Sequence, residues 1–286
     1  MNHAIERFPH KPSWLKVKLP KGENYLKVKE LLSQQNLSTI CQSGKCPNLA
    51  ECWGAGTATF MILGTVCTRN CTFCNVNPGK PLAPDNEEPR KVAESVKMMQ
   101  LKHCVITSVT RDDLPDLGAA HWKQTITEVK KLNPHTTLEV LIPDMKGDKD
   151  ALNMIIMAKP DIISHNVETV KRLYKTVRPQ ADYLRSLRQI RITHESGIRS
   201  KSGFMLGLGE TETEILELIN DLHDHKVDIL SIGQYLQPTT EHHKVIEFIL
   251  PEIFEEYKQY AIKKGVKYVE SGPLVRSSYH SENHLI

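Results

Sequence analysis

The sequence predicts an α/β protein, a partial (βα)6 barrel of the TIM type with N- and C-terminal extensions. Three observations predict it. From Phe60 onward, short apolar runs alternate with stretches of helical length and period, the pattern of a parallel sheet with helices outside it. No Gly-x-Gly-x-x-Gly turn follows the first run, which argues against a Rossmann sheet. The nearest pattern, Gly207-Leu208-Gly209-Glu210, lacks the third glycine and follows a late strand. Finally, three cysteines stand on the loop that leaves the first strand, the end of a barrel strand that carries chemistry.

Taken in order, residues 1–22 contain Pro9, Pro12, Pro20 and several lysines and read as an extended arm. Residues 24–35 read as a short helix with Tyr25, Val28, Leu31 and Leu32 on one face. Strands are expected at 60–65, 103–109, 137–142, 161–165, 203–208 and 227–233. Helices are expected at 89–100, 119–132, 148–158, 168–176, 179–190 and 211–225. Pro251 fits the first turn of a helix reaching Lys264, and 266–269 read as a last strand. This divides the chain into an N-terminal extension (1–58), a barrel (59–237) and a C-terminal extension (238–286). The strand C-termini would gather 67–74, 107–113, 142–144, 165–168, 207–210 and 234–237 around one mouth.

The 286 residues, 40% of them hydrophobic, suffice for one large domain with a real core. A net charge of +3 is too small to argue for nucleic acid. That charge is concentrated in residues 1–30, where seven Lys or Arg face three acids. The N-terminus lacks the apolar core and cleavage site of a secretory peptide, and no apolar run reaches membrane-spanning length. Seven cysteines, grouped as two triplets and one remainder, do not form a disulfide framework but do suit reduced metal ligands. The expectation is a cytoplasmic protein with neither nucleic acid nor membrane as partner.

The first triplet is Cys41, Cys46 and Cys52, at C-x4-C-x5-C spacing; the second is Cys67, Cys71 and Cys74, at C-x3-C-x2-C spacing, with Phe73 before the last cysteine. Three thiolates within eight residues can hold three irons of a [4Fe-4S] cube and leave the fourth open. The alternative, a zinc knuckle, pairs C-x2-C with a second such pair. Cys104, within an apolar run, reads as a buried strand residue. Asn166 and Glu168, two apart at a strand end, can both face the mouth. Arg111, Asp112 and Asp113 read either as part of that mouth or as a solvated loop. His223, His225, His242 and His243 lack partners at ligand spacing and read as surface residues. Arg276 reads as a carboxylate binder, an anchor for the loop of Ser277 and Ser278 that follows it, or a surface ion pair.

Taken together these motifs resemble the lipoyl synthase family of the radical SAM superfamily. The resemblance runs from Cys41 to His280 and includes Gly56–Gly64, Arg111–Asp116, Leu141–Asp144, His165–Thr169, Arg178-Pro179, Lys201–Gly203 and Met205–Thr211. It closes with Tyr235–Thr239 and Arg276-Ser277-Ser278-Tyr279-His280. The double triplet and the terminal Arg-Ser-Ser-Tyr are its most specific parts. Gln180 stands where a glycine is usual, and the tail stops six residues past His280.

The resemblance implies insertion of two sulfurs at C6 and C8 of an octanoyl chain held on a lysine of a lipoyl carrier domain. Such carriers are the E2 subunits of 2-oxoacid dehydrogenases and the glycine cleavage H protein, and the electron donor would be a flavodoxin or ferredoxin. Cys67, Cys71 and Cys74 would bind the [4Fe-4S] cluster that cleaves S-adenosylmethionine (SAM) to a 5′-deoxyadenosyl radical. Cys41, Cys46 and Cys52 would hold a second, sulfur-donating [4Fe-4S] cluster, completed by Ser278 in preference to Ser277. Phe73, Asn166, Glu168 and Arg276 would contact the cofactor. Another sulfur-inserting enzyme of the biotin synthase kind shares the open-cluster loop, but the first triplet and Arg-Ser-Ser-Tyr fit lipoyl synthase better. The remaining alternative is a cluster- or zinc-binding module without catalysis.

Overall fold

A computed structural model describes residues 11–17 and 22–285. Most of the predicted arm therefore lies outside the described residues. The part that is described departs from an extended arm, because Ser13–Leu15 forms a 3-10 turn that buries Leu15 completely.

The chain then runs through α1 (Glu23–Gln34), β1 (Ser38–Thr39), α2 (Ile40–Ser43), α3 (Leu49–Gly54), β2 (Thr59–Ile62), β3 (Val66–Cys67) and β4 (Asn77–Pro78). Next come α4 (Glu88–Met98), β5 (His103–Ser108), α5 (Ala119–Leu132), β6 (Thr137–Leu141), α6 (Lys149–Met157), β7 (Ile162–Ser164) and α7 (Tyr174–Val177). The remainder is α8 (Tyr183–Glu195), β8 (Arg199–Leu206), α9 (Glu212–Asp224), β9 (Ile229–Gln234), α10 (Pro251–Lys264) and β10 (Tyr268–Gly272).

Eight strands form one sheet in the order β1-β2-β5-β6-β7-β8-β9-β10. β1 runs antiparallel to β2, and every other neighbouring pair is parallel. β1 and β10 thus end the ladder, as in an open, partial barrel. Strands β2 and β9 are buried along their whole length, as expected of parallel strands covered on both faces. Apolar residues of α4, α5 and α6 share one core with β2, β5 and β6, and those of α8, α9 and α10 share a second with β8 and β9.

Helix α5 spans the residues predicted for it, but residues 168–176 do not form one helix. Glu168 takes a positive φ of 67° and bridges to Phe204 of β8, so helical geometry starts only at a 3-10 turn from Lys171. Strand β8 begins at Arg199, four residues before the predicted start, because its first half is polar yet buried in the barrel. There Lys201 Nζ lies 2.8 Å from Glu139 of β6, and both side chains are fully buried.

The C-terminal extension does more than append a helix. β10 extends the sheet beyond β9, and the tail after it crosses back to the N-terminal segment. Asn48 Nδ2 donates to the Leu274 carbonyl (2.7 Å), and the Tyr279 hydroxyl donates to Glu51 (3.0 Å). Gly233 on β9 permits the crossing, since a Cβ there would collide with the Val275 carbonyl oxygen. Among the described residues no helix is long and apolar enough to cross a membrane.

Candidate active site

The second triplet sits where β2 ends. A short parallel ladder, Val66–Asn77 and Cys67–Pro78, closes the base of its loop. The Thr110 N–H donates to Cys67 Sγ (3.3 Å). Arg69, inside the loop, reaches Asp112 with Nε (2.7 Å) and Asp144 with Nη2 (2.7 Å). Burial alone would raise the Asp144 carboxyl, but the Arg69 guanidinium outweighs it and holds the group at about 2. His242 lies 3.0 Å from the Cys74 carbonyl through Nε2, and the His243 N–H donates to the Thr72 carbonyl. Those two histidines are therefore braces of the cysteine loop rather than free surface residues.

Cys67, Cys71 and Cys74 line a cavity of about 350 Å³, within the range of small-molecule sites. Phe73, His165, Asn166, Glu168, Arg178 and Arg276 share its wall. Of the predicted mouth, Thr107–Thr110, Ile142, Pro143, Tyr235 and Leu236 also face it. Arg111, Asp112 and Asp113 do not, and serve instead as framework. Arg111 is buried, its Nε and Nη2 paired with Asp113 and its Nη1 donating to the Leu63 carbonyl. Gly207–Glu210 is also off the wall, and the Glu210 carboxylate closes its own loop by accepting from the Gly207 and Leu208 amides.

Cys41, Cys46 and Cys52 line a second, smaller cavity of about 40 Å³ together with Thr59, His103, Arg276 and Ser278. Cys41, Cys46, Thr59, Arg276 and Ser278 also border the larger one, so the two cavities abut. The two serines are separated by this arrangement. Ser278 accepts from the Thr59 hydroxyl (2.8 Å) and borders both cavities. Ser277 accepts from Asn166 Nδ2 (2.5 Å) and borders only the larger.

All seven cysteines are free thiols. Among the described residues no three His, Cys, Asp or Glu side chains converge on a single metal ion. Burial, then the neighbouring thiols of each triplet, pushes Cys52 and Cys74 up to about 12, and burial also raises Cys41, Cys46 and Cys71. Unaided, these sulfurs hold their protons; a cationic iron centre is what would draw them out as thiolates. The donor sets therefore fit iron–sulfur clusters. Cys104 is wholly buried in β5, away from both triplets.

Burial pushes the Glu168 carboxyl up, with Arg178, Asn166 and Arg276 pulling it back. Burial likewise lowers Arg276, which donates to the Val275 carbonyl (2.6 Å). Among the described residues Arg276 is bound to no carboxylate, and it is not an exposed surface residue. His165 is lowered to about 4 by burial and is neutral. Its Nδ1 faces the Ile142 carbonyl (2.9 Å), so that nitrogen carries the proton and Nε2 accepts from Ser186.

Sequence reasoning missed Arg178 as a site residue. Its Nη1 donates to the Asn166 and Val167 carbonyls and to the Tyr174 hydroxyl. Its Nε and Asn166 Oδ1 are buried without partners, two polar atoms at the cavity that a ligand would satisfy. The only signal was an arginine before a proline. The missed Arg69 brace had a weaker one, since its acids lie far along the chain.

A strand-end cysteine triplet over a largely apolar cavity that carries a few polar groups, on an open parallel barrel, is the arrangement of a radical SAM enzyme. The Radical SAM superfamily profile matches residues 61–222, and that of the "N-terminal domain of lipoyl synthase of Radical_SAM family" matches residues 3–46. A lipoyl synthase of Flavobacterium johnsoniae is 54% identical over 288 residues, covering 100% of both chains. One of Bacteroides fragilis is 57% identical over 96% of each chain, and a mitochondrial one of Nematostella vectensis is 54% identical over 96% of this chain and 95% of its own. Among solved structures, methylornithine synthase (TM-score 0.56, 14% identity) covers 86% of this chain and 81% of its own. Coproporphyrinogen III oxidase from Escherichia coli (TM-score 0.53, 14% identity) covers 72% and 52%. These two share the fold. The chain belongs to the lipoyl synthase family. It is a sulfur-inserting radical SAM enzyme, and that membership implies a [4Fe-4S] cluster, SAM and a lipoyl-domain substrate.

Proposed function

We propose that the enzyme inserts sulfur at C6 and C8 of a carrier-bound octanoyl chain using two separate clusters. Cys67, Cys71 and Cys74 would hold the SAM-cleaving cluster; Cys41, Cys46, Cys52 and Ser278 would hold a second [4Fe-4S] cluster as sulfur source. Bound there, the clusters and SAM supply hydrogen abstraction and the sulfur atoms. The observation that carries the reading is the shared wall: Cys41, Cys46, Thr59, Arg276 and Ser278 border both cavities, so a carbon activated in one lies beside the other.

The protein's part is binding, orientation and exclusion of water. Phe73 walls the cysteine loop. Asn166 and Glu168 would take the polar groups of SAM, whose amine supplies the counter-charge that the half-buried Glu168 favours. Arg276 would offer its unpaired charge to a carboxylate. Ile40, Val109, Ile142, Phe204, Leu236 and Val275 give the cavity the apolar lining that an octanoyl chain requires.

In this reading 1–58 and 238–286 build the sulfur-donor site and 59–237 the SAM barrel. The carriers would be 2-oxoacid dehydrogenase E2 subunits and the glycine cleavage H protein, the reductant a flavodoxin or ferredoxin, and the location cytoplasmic. Anaerobic turnover with SAM, reductant and an octanoyl-lysyl peptide, followed by mass spectrometry, tests it. Two sulfurs gained with loss of two hydrogens is the expected product; an unmodified peptide beside accumulating 5′-deoxyadenosine would refute the sulfur-donor assignment.

A further inference from the structure

We propose that Thr59 is the positioning residue that aims the Ser278 hydroxyl at the first cysteine triplet. The inference rests on the reading of Ser278 as a cluster ligand given above. Thr59 opens β2, is 5% exposed and borders both cavities. Its hydroxyl donates to Ser278 Oγ at 2.8 Å, a bond between residues 219 apart in the chain. Cys41 borders the same two cavities. One strand residue therefore holds the serine beside a cysteine of the same proposed ligand set.

Position matters here because Ser278 reaches the site on the C-terminal tail, not on a strand. A serine side chain has three staggered wells, and only a partner on a fixed element selects one of them. Thr59 supplies that partner from the first barrel strand. Ser277, one residue earlier, is held by Asn166 in the loop after β7 and faces the larger cavity only. The two adjacent hydroxyls are thus held by partners from different parts of the barrel. Because Thr59 donates, the Ser278 oxygen keeps its own proton and a lone pair for the cavity. Were Ser278 to bind iron as an alkoxide, the same contact would become a charge-assisted bond, stronger than the neutral one.

Residues that orient a metal ligand through hydrogen bonds typically change metal affinity about 10–100-fold when removed. The test uses full-length enzyme loaded with both clusters, timing iron release to a chelator and recording the Mössbauer signature of an oxygen-ligated iron. Thr59→Val, nearly isosteric but without a donor, is expected to release one iron per chain about 10-fold faster and to broaden that signature. Thr59→Ser is expected to match the wild type, and Thr59→Cys, a weak donor, to fall between them. In a Ser278→Ala background, Thr59→Val should add nothing further. Equal release from Thr59→Val and wild type overturns the proposal. So does an equal acceleration with and without Ser278, which would assign the effect to Cys41. An unchanged spectrum for Ser278→Ala alone overturns the serine-ligand reading itself, and the proposal with it.

Discussion

Residues 67–74 are tied into the barrel by buried charge, whereas residues 41–52 are held largely by neutral hydrogen bonds from the two ends of the chain. Arg69 anchors the second triplet to Asp112 and Asp144, with side chains 4%, 18% and 0% exposed, and Arg185 backs Asp144 at 3.1 Å. Thr68, Thr72 and His243 add contacts to backbone carbonyls on the barrel, and His242 reaches the Cys74 carbonyl of the loop itself. Around the first triplet, Asn75 Nδ2 donates to the Ser43 carbonyl, Asn48 to Leu274 and Thr59 to Ser278, while Tyr25 stacks on Trp53 with ring centroids 5.3 Å apart. In the proposed assignment, a SAM-cleaving site that stays intact would benefit from the first kind of frame, and a sulfur-donating site that gives up its contents each turnover from the second, whose bonds are individually weak and separable.

The sharpest way to break this comparison is by function. Cys74→Ala is expected to abolish both 5′-deoxyadenosine and lipoyl product in anaerobic assays. Ser278→Ala and Cys46→Ala should still form 5′-deoxyadenosine, uncoupled from product. Loss of SAM cleavage in folded Cys46→Ala would reverse the assignment of the triplets.

Next in size is stability. Arg69→Ala leaves the buried Asp144 with only the partly exposed Arg185 as counter-charge and is expected to cost about 3 kcal/mol in denaturant titration. A cost below ~1 kcal/mol, the range of an exposed pair, would show that the frame is not electrostatic.

The same pair sets an acid limit. Asp144 is held at about 2, below its unfolded value near 3.8, so its stabilisation is full above about pH 4 and lost as pH falls toward 2. Asp144→Asn should therefore destabilise by about 2 kcal/mol at neutral pH, with the deficit closing across that window. A deficit independent of pH would point to packing.

The smallest effect belongs to the first triplet. Asn48→Ala removes one neutral bond to Leu274 and should cost about 1–2 kcal/mol. Hydrogen exchange should then quicken in 272–280 and not in 67–74; uniform quickening would erase the contrast.

Legibility followed the same division. The alternation of strands and helices was readable because burial on both faces leaves long apolar runs, as in Phe60–Leu63 and Cys104–Ile106. The cysteines were readable because ligand spacing is local. The helix expected over 168–176 failed because Glu168 is spent on the cavity and pairs with Phe204, a tertiary demand that overrides propensity. His242 looked idle because its partner, the Cys74 carbonyl, lies 168 residues away. Arg276 could not be recognised as a partly buried cation without an ion-pair partner among the described residues, since nothing beside it in the chain is acidic.

The tail that crosses back to the N-terminal segment has a kinetic consequence. Arg69–Asp112 closes a loop of 43 residues, while Thr59–Ser278 closes one of 219 and Glu51–Tyr279 one of 228. Loop-closure entropy makes the longer closures costlier by about 1.4 kcal/mol each, before any contact repays it. The ion-pair frame of the second triplet is thus closed over shorter loops that meet earlier, and the frame of the first joins the two ends of a high-contact-order topology. In refolding, protection of the Cys41–Cys52 segment should be the final event. During synthesis, the barrel can present a complete three-cysteine loop while the other site still waits for its last wall to emerge.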